Sequence, residues 1–384
     1  MADGRSLSGV AFNVGPLVNG RAAGVGFHAG LMETFACGEE VCSARRAAGA
    51  ASAERAGDVT DANPDAAPLG SHLRRLRRQL KLIRSPHGLE KLGDGRLSGP
   101  EDVYIDAAAG GTLYTATRDG WLERMQPNGS WEHWRFVGGT DLLGIAPSAD
   151  GSLLVCDAHK GLLKVEEGRV TILASTVEGS TIRFADAVIE ASDGTVYFSD
   201  GSTRCDPGTG KASVALDNLA FANGVALSRD ESFLVVCETA GFRCTRLWLK
   251  GDKAGQKETF VDNLPGSPDN IHLAPDGSFW IALLQLRSPW MDLITRWTLA
   301  KRVVASIPAL HEPIKATAKG AMVAQVSEDG EIIRVLDDSQ GKVIHFITSV
   351  TEFDGHLFLG SLSTNFLGKL SLAKVPRVQA AVSS

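Results

Sequence analysis

Asp276-Gly-Ser-Phe-Trp-Ile-Ala-Leu-Leu284 opens on an Asp-Gly turn and runs directly into an apolar, β-prone segment. The same design recurs at Gly111, Asp150-Gly151, Asp193-Gly194, Asp230-Glu231 and Asp354-Gly355. Each turn leads into a strand, a polar turn and a further strand, as in Ser152–Glu166 and Ser232–Leu249. Taken from Gly111 through Gly151, Gly194, Glu231 and Gly277, the steps are 40, 43, 37 and 46 residues. The last step, Gly277 to Gly355, is 78 and spans a less regular insertion at Arg287–Ala318.

A period near 40 with short strands in every unit is the signature of a β-propeller. One such sheet cannot bury both of its faces, so the units stack radially around a channel. Six turn anchors predict an all-β, six-bladed propeller, with Leu89–Leu97 supplying the closing strand of the last blade. Between Asp200 and Asp217 there is room for only one further strand, so the third blade is expected to be incomplete.

Composition agrees. Gly contributes 42 of 384 residues against 15 Pro, an excess that suits many tight turns and excludes collagen-like chains. Hydrophobic residues at 43% and charged residues at 22% exclude a mainly disordered chain. A net charge of −6 argues against a nucleic-acid partner, and six Cys in this length are no disulfide scaffold. No run approaches the ~18 apolar residues of a membrane span, and no standard secretory signal is visible at the start.

Residues 1–85 read differently: an Ala/Gly/Arg-rich extension, with a linker-like stretch at Asp58–Pro68. Gly24, Gly26 and Gly30 have the wrong spacing for a dinucleotide loop, and Cys37 and Cys42 lack a second pair of zinc ligands. His72–Ser85 places Leu73, Leu76, Leu80 and Ile83 on one helical face among six basic residues. Such a helix packs on the main domain or touches an anionic membrane surface. The domain reading is therefore an extension over 1–85, the propeller over 88–373 and a tail over 374–384.

In a propeller, the loops entering the innermost strands face the axis. Here they carry Glu101, Asp186, Asn223 and the pair Asp269-Asn270. Carboxylate and amide oxygens without Cys or His suit a hard cation, Ca²⁺ above all. The same residues can equally cap strand starts by accepting backbone N–H groups. His159 and His272 fall near strand ends of the channel, as proton shuttles or as surface histidines. No Gly-x-Ser-x-Gly elbow is present, which excludes the α/β-hydrolase triad. Cys237 and Cys244 flank a hairpin, where a disulfide and two buried thiols both fit. Asn128-Gly-Ser130 reads as a glycosylation sequon or as a hairpin turn.

Several motifs together resemble the plant strictosidine synthase-like family: Gly99-Pro-Glu-Asp-Val, Tyr114-Thr-Ala-Thr-Arg-Asp-Gly-Trp, Leu154-Val-Cys-Asp-Ala, Phe221-Ala-Asn-Gly-Val, Pro268-Asp-Asn-Ile and Phe279-Trp-Ile-Ala-Leu. The resemblance covers roughly 88–373 and extends to adipocyte plasma membrane-associated protein and, more distantly, to paraoxonases and gluconolactonases. It implies a six-bladed propeller routed to endomembranes or the vacuole, although no signal segment opens this chain. Strictosidine synthase condenses tryptamine with secologanin using a Glu whose position here is Thr348, so that condensation is not expected. The hydrolytic relatives imply a catalytic Ca²⁺ held by Glu101, Asn223, Asp269 and Asn270, with Asp269 doubling as general base. Their third-blade Asn is Ala185 here, beside Asp186, and the paraoxonase His falls at Leu143. The expectation is a calcium-dependent hydrolase of a small ester or lactone, the alternative a propeller that binds a partner or small molecule without catalysis.

Overall fold

The computed structural model describes residues 88–200, 203–206, 211–286 and 320–374. The 1–85 extension with its linker and basic helix, the insertion at 287–318 and nearly all of the 374–384 tail lie outside the described residues.

The chain folds as an all-β propeller, and among the described residues the strands form six four-stranded antiparallel sheets. Strand β1 (Glu90–Leu92) precedes the first sheet, β2 (Val103–Asp106), β3 (Thr112–Ala116), β4 (Trp121–Met125) and β5 (Trp131–Phe136). The second holds β6 (Leu142–Pro147), β7 (Leu153–Asp157), β8 (Gly161–Val165) and β9 (Val170–Ala174). A small hairpin, β10 (Thr176–Val177) and β11 (Ser180–Thr181), leads to the third: β12 (Val188–Glu190), β13 (Val196–Phe198), β14 (Thr203–Asp206) and β15 (Lys211–Val214). The fourth comprises β16 (Ala222–Leu227), β17 (Phe233–Glu238), β18 (Arg243–Trp248) and β19 (Lys257–Val261). The fifth comprises β20 (Gly266–Leu273), β21 (Phe279–Leu286), β22 (Ala321–Val326) and β23 (Ile332–Asp338). The sixth is β24 (Ile347–Phe353), β25 (His356–Ser361) and β26 (Leu367–Ser371), completed by β1 as its outer strand.

That last pairing sets Glu90 to Leu92 against Lys369 to Leu367, so the start of the described chain covers the free edge of its final sheet. The expectation of a third sheet lacking a strand is not met. Strands β14 and β15 are four residues each, short enough for a complete hairpin to fit between Asp200 and Asp217.

The core sits between neighbouring sheets, as sheets that are apolar on both faces require. Leu122, Leu142, Val155 and Leu163 pack the first sheet on the second. Leu143, Leu154, Leu162, Val188 and Phe198 pack the second on the third, and Val225, Leu234 and Tyr197 the third on the fourth. Rings of Phe233, Phe260 and Phe279 join the fourth to the fifth, with centroids 5.5–6.2 Å apart. Trp280, Ala282, Val350 and Leu359 join the fifth to the sixth, and Leu113, Val103, Phe358 and Leu367 return from the sixth to the first. Among the described residues no helix is long and apolar enough to cross a membrane.

The turns follow the sequence signals. Gly129, at φ +84°, closes the β4–β5 hairpin, and the Asn128 side chain accepts from the Ser130 backbone N–H. Asn128-Gly-Ser130 thus forms the turn that its dipeptide favours.

Candidate functional site: a buried polar cluster at the inner strands

Glu101, Asp186, Asn223, Asp269, Asn270 and Thr348 are all buried, none more than 2% exposed. Glu101 and Asp186 stand just ahead of β2 and β12, as the sequence suggests. Asn223, Asp269 and Asn270 instead lie inside β16 and β20. There the ladder slips: the β16–β17 register shifts between Ala222 and Val225, and the β20–β21 register shifts between Pro268 and Ile271. The β24–β25 register shifts likewise between Ile347 and Ser349, around Thr348. A bulge leaves a residue unpaired and re-aims its side chain, and three of the bulges in this fold fall on site residues.

Glycines let these segments converge. A Cβ on Gly224 would collide with the Asp269 carbonyl and the Asn270 backbone, and one on Gly144 with the Asp186 carbonyl. The Gly144 N–H instead donates to that carbonyl at 2.7 Å. Only a residue without a side chain allows neighbouring inner strands so close.

Within the cluster, Asn270 Nδ2 donates to Glu101 Oε1 at 2.8 Å, joining the fifth sheet to the first. Thr348 Oγ1 donates to the Glu101 carbonyl at 2.6 Å and so acts as a strut. Among the described residues, six buried side-chain atoms of this cluster make no hydrogen bond of good geometry: Glu101 Oε2, Asp186 Oδ2, Asn223 Oδ1 and Nδ2, Asp269 Oδ2 and Ser349 Oγ. Asn223 is nonetheless close enough to Asp269 to lower its carboxyl. A buried polar atom left unsatisfied costs about 1–3 kcal/mol, so this grouping makes a strong demand for a ligand.

The electrostatics carry the same message. Burial, then the charges of Asp102, Asp269 and Asp186, pushes the Glu101 carboxyl well above its ordinary range. Burial and Asp186 do the same to Asp269. Asp186 is pushed up to about 8 by burial, against the lowering effect of Arg118 and with Asp102 adding to the rise. Asp186 therefore keeps a proton at neutral pH, burial disfavours the ionised forms of Glu101 and Asp269, and a cation bound beside them would favour ionisation.

The two histidines part company. His159 is 64% exposed at its side chain and bonds Asp141 at 2.8 Å, on the outer part of the loops rather than in the buried cluster. His272 lies nearer: its Nε2 is 3.4 Å from Asp102 Oδ1 and its Nδ1 is 3.2 Å from the Val350 carbonyl.

Sequence reasoning passes over Asp102. Its Oδ1 accepts from its neighbour Val103 N–H at 2.8 Å and its Oδ2 from Ile145 N–H at 3.1 Å, tying the first sheet to the second beside Glu101. The Glu-Asp doublet in Gly99-Pro-Glu-Asp-Val is the signal that points to it. Arg118, which forms an ion pair with Asp141, is also missed, because nothing in the turn Arg118-Asp-Gly-Trp marks it as a neighbour of carboxylates.

The donor set fits a hard cation. Glu101, Asn223, Asp269 and Asn270 supply oxygens only, three of the four with unpartnered atoms, on strands that converge. Among the described residues no three His, Cys, Asp or Glu side chains assemble as a metal-binding group, even with Asp102 and Asp186 nearby, and two of the four candidate ligands are amides. Fit is thus a matter of mixed carboxylate and amide oxygens, as in Ca²⁺ sites, rather than of a carboxylate cage.

The strictosidine synthase family model matches residues 203–252, and the model for the N-terminal part of strictosidine synthase-like proteins matches residues 87–125. Protein STRICTOSIDINE SYNTHASE-LIKE 4 of Arabidopsis thaliana is 31% identical over 322 residues, covering 75% of this chain and 83% of that protein. Adipocyte plasma membrane-associated protein of Rattus norvegicus is 31% identical over 329 residues, covering 74% and 86%. Among solved structures, a gluconolactonase from Xanthomonas campestris superposes with a TM-score of 0.56 at 17% identity, covering 74% of this chain and 89% of that one. That likeness shows the fold alone. The chain belongs to the strictosidine synthase-like family.

Proposed function

We propose that this protein hydrolyses a small ester or lactone, with Ca²⁺ held by Glu101, Asn223, Asp269 and Asn270 on the axis of a six-bladed ring. The observation that carries the reading is the group of unpartnered buried oxygens contributed by separate inner strands. Bound there, a hard dication would polarise the substrate carbonyl and offset the negative charge that develops on its oxygen.

The chain's own residues do the rest. Glu101, fixed by Asn270 and by the strut from Thr348, supplies a carboxylate oxygen that cannot turn away. Asp269 Oδ2 accepts the proton of the attacking water and returns it to the departing oxygen as the C–O bond breaks, freeing the alcohol of an ester or opening the ring of a lactone. A base must be ionised; burial opposes that at Asp269, and positive charge close by favours it. Arg118 helps, since its charge lowers the carboxyls of Glu101 and Asp186. Thr348 has no proton to shuttle at neutral pH, so amine–aldehyde condensation has no acid at that position.

Turnover of a panel of aryl esters and aliphatic lactones in millimolar Ca²⁺ tests the reading. Asp269→Ala should lose at least 100-fold in kcat/KM while still unfolding cooperatively. Unchanged turnover in that variant overturns the mechanism. No turnover by the parent protein with Ca²⁺ still bound would leave a ligand-binding propeller, a reading favoured by Leu143 in the second sheet at the position that the resemblance assigns to the paraoxonase histidine.

A further inference from the structure

The β17–β18 hairpin sets Cys237 directly opposite Cys244. Both are wholly buried, both are free thiols, and their Sγ atoms lie 2.9 Å apart. Directly opposed residues of an antiparallel pair have Cα separations of roughly 4.5–5.5 Å, inside the range that a disulfide spans. Closing the sulfurs by about 0.9 Å reaches the bonded distance.

We propose that Cys237 and Cys244 are a redox site, a reversible cross-strand disulfide that locks this hairpin beside the central cluster. The hairpin is coupled to the cluster through hydrogen bonds. Thr239, at its tip, donates its hydroxyl to the Pro268 carbonyl at 2.8 Å, one residue ahead of Asp269. Glu238, next to Cys237, accepts from the Ala220 N–H at 2.9 Å, three residues ahead of Asn223. Strand β17 itself pairs with β16, which carries Asn223. Fixing the hairpin therefore fixes the backbone on which Asn223 and Asp269 stand.

The oxidant is a low-molecular-weight disulfide. The Cys237 thiolate attacks one of its sulfurs and expels the first small thiolate, giving a mixed disulfide. The Cys244 thiolate then attacks the Cys237 sulfur and expels the second. The protein pair gives up two electrons and two protons, and the small disulfide gains them as two thiols. Burial, followed by the hydrogen bond with Cys244, raises the Cys237 thiol well above its ordinary range, so thiolate is scarce in the closed hairpin. Exchange then proceeds before folding is complete or when the hairpin opens, and reductant reaches the finished bond through the same opening.

Trypsin provides the test. It cuts after Arg229, Arg243 and Arg246, so the disulfide would hold peptide 230–243 to peptide 244–246. The full chain is unfolded and refolded in a glutathione buffer, quenched with acid, alkylated under denaturing conditions, digested and weighed. Oxidising buffer should yield the joined peptides, and dithiothreitol the two separate alkylated ones. Cys156, buried and free, should be alkylated in both and serves as the internal control. Closing so short a loop should raise the thermal midpoint by about 5 °C, a shift absent in Cys244→Ser. Alkylation of both cysteines after refolding in oxidised glutathione would overturn the proposal, as would pairing of either with another cysteine.

Discussion

In the absence of any metal the protein should become less stable as the pH rises through neutrality, the reverse of ordinary acid denaturation. Asp186 is the clearest contributor, raised from 3.8 to about 8 by its burial. Between those values the folded protein holds a proton that the unfolded chain has lost. Stability therefore falls with rising pH, by about 1.4 kcal/mol per pH unit for one proton. From pH 5 to pH 7 that amounts to about 3 kcal/mol from Asp186 alone, and Glu101 and Asp269 are shifted in the same direction. The assay is urea unfolding in EDTA at half-unit pH steps, for the parent protein and for Asp186→Asn. The variant keeps the shape, cannot titrate, and should flatten the slope by about one proton equivalent. With saturating Ca²⁺ the parent slope should become shallower, because the cation favours ionised Glu101 and Asp269 and removes their share of the proton uptake while Asp186 keeps its own. EDTA-treated protein whose stability is flat or rises from pH 5 to pH 7, or an Asp186→Asn slope equal to the parent's, would refute the electrostatic reasoning.

Two further perturbations probe the scaffold. Glu238 is buried and accepts from Arg243 Nε and Nη2 at 2.9 and 3.0 Å, Thr245 Oγ1 at 2.6 Å and the Ala220 N–H. Glu238→Ala strands those donors and should cost about 2–4 kcal/mol in urea unfolding, a range reduced because Arg243 is part-exposed and can turn to water. Burial raises the Glu238 carboxyl, but its hydrogen bonds outweigh that and hold it below the ordinary range. Its contribution is therefore present above the unfolded carboxyl's pKa and lost as the pH falls through the folded one, a dependence that Glu238→Ala should abolish. Gly330, at φ +89°, presses on the Phe260 carbonyl of the neighbouring sheet, whereas Gly129, at φ +84°, faces open space. Gly330→Ala should lower the thermal midpoint by several degrees more than Gly129→Ala, since both share the strain of positive φ but only one meets backbone.

Much of this fold could be read from its turns, because Asp-Gly pairs are dictated by local geometry. Strands β3, β7, β13, β17, β21 and β25 all follow the turn anchors found in the sequence. The third sheet was harder to read: β14 and β15 are only four residues long, and a count based on ordinary strand lengths leaves no space for both. The cluster shows the same division. Asn223 and the Asp269-Asn270 pair are legible as polar breaks ahead of apolar runs, yet their place inside bulged strands follows from contacts between sheets that no local pattern encodes. Gly224 and Gly144 carry no distinguishing signal in the sequence and prove to be close-approach points. Asp102 and Arg118 act across sheet boundaries, and a sequence read one unit at a time gives no sign of such partners.

Calorimetric titration of the metal-free full chain with Ca²⁺ tests the central claim most directly. One site per chain should bind, with a dissociation constant of roughly millimolar or tighter. Proton release should accompany binding, and both should vanish in Glu101→Gln and Asp269→Asn. A cooperatively folding protein that takes up no Ca²⁺ at about 10 mM, well above that range, would contradict the account.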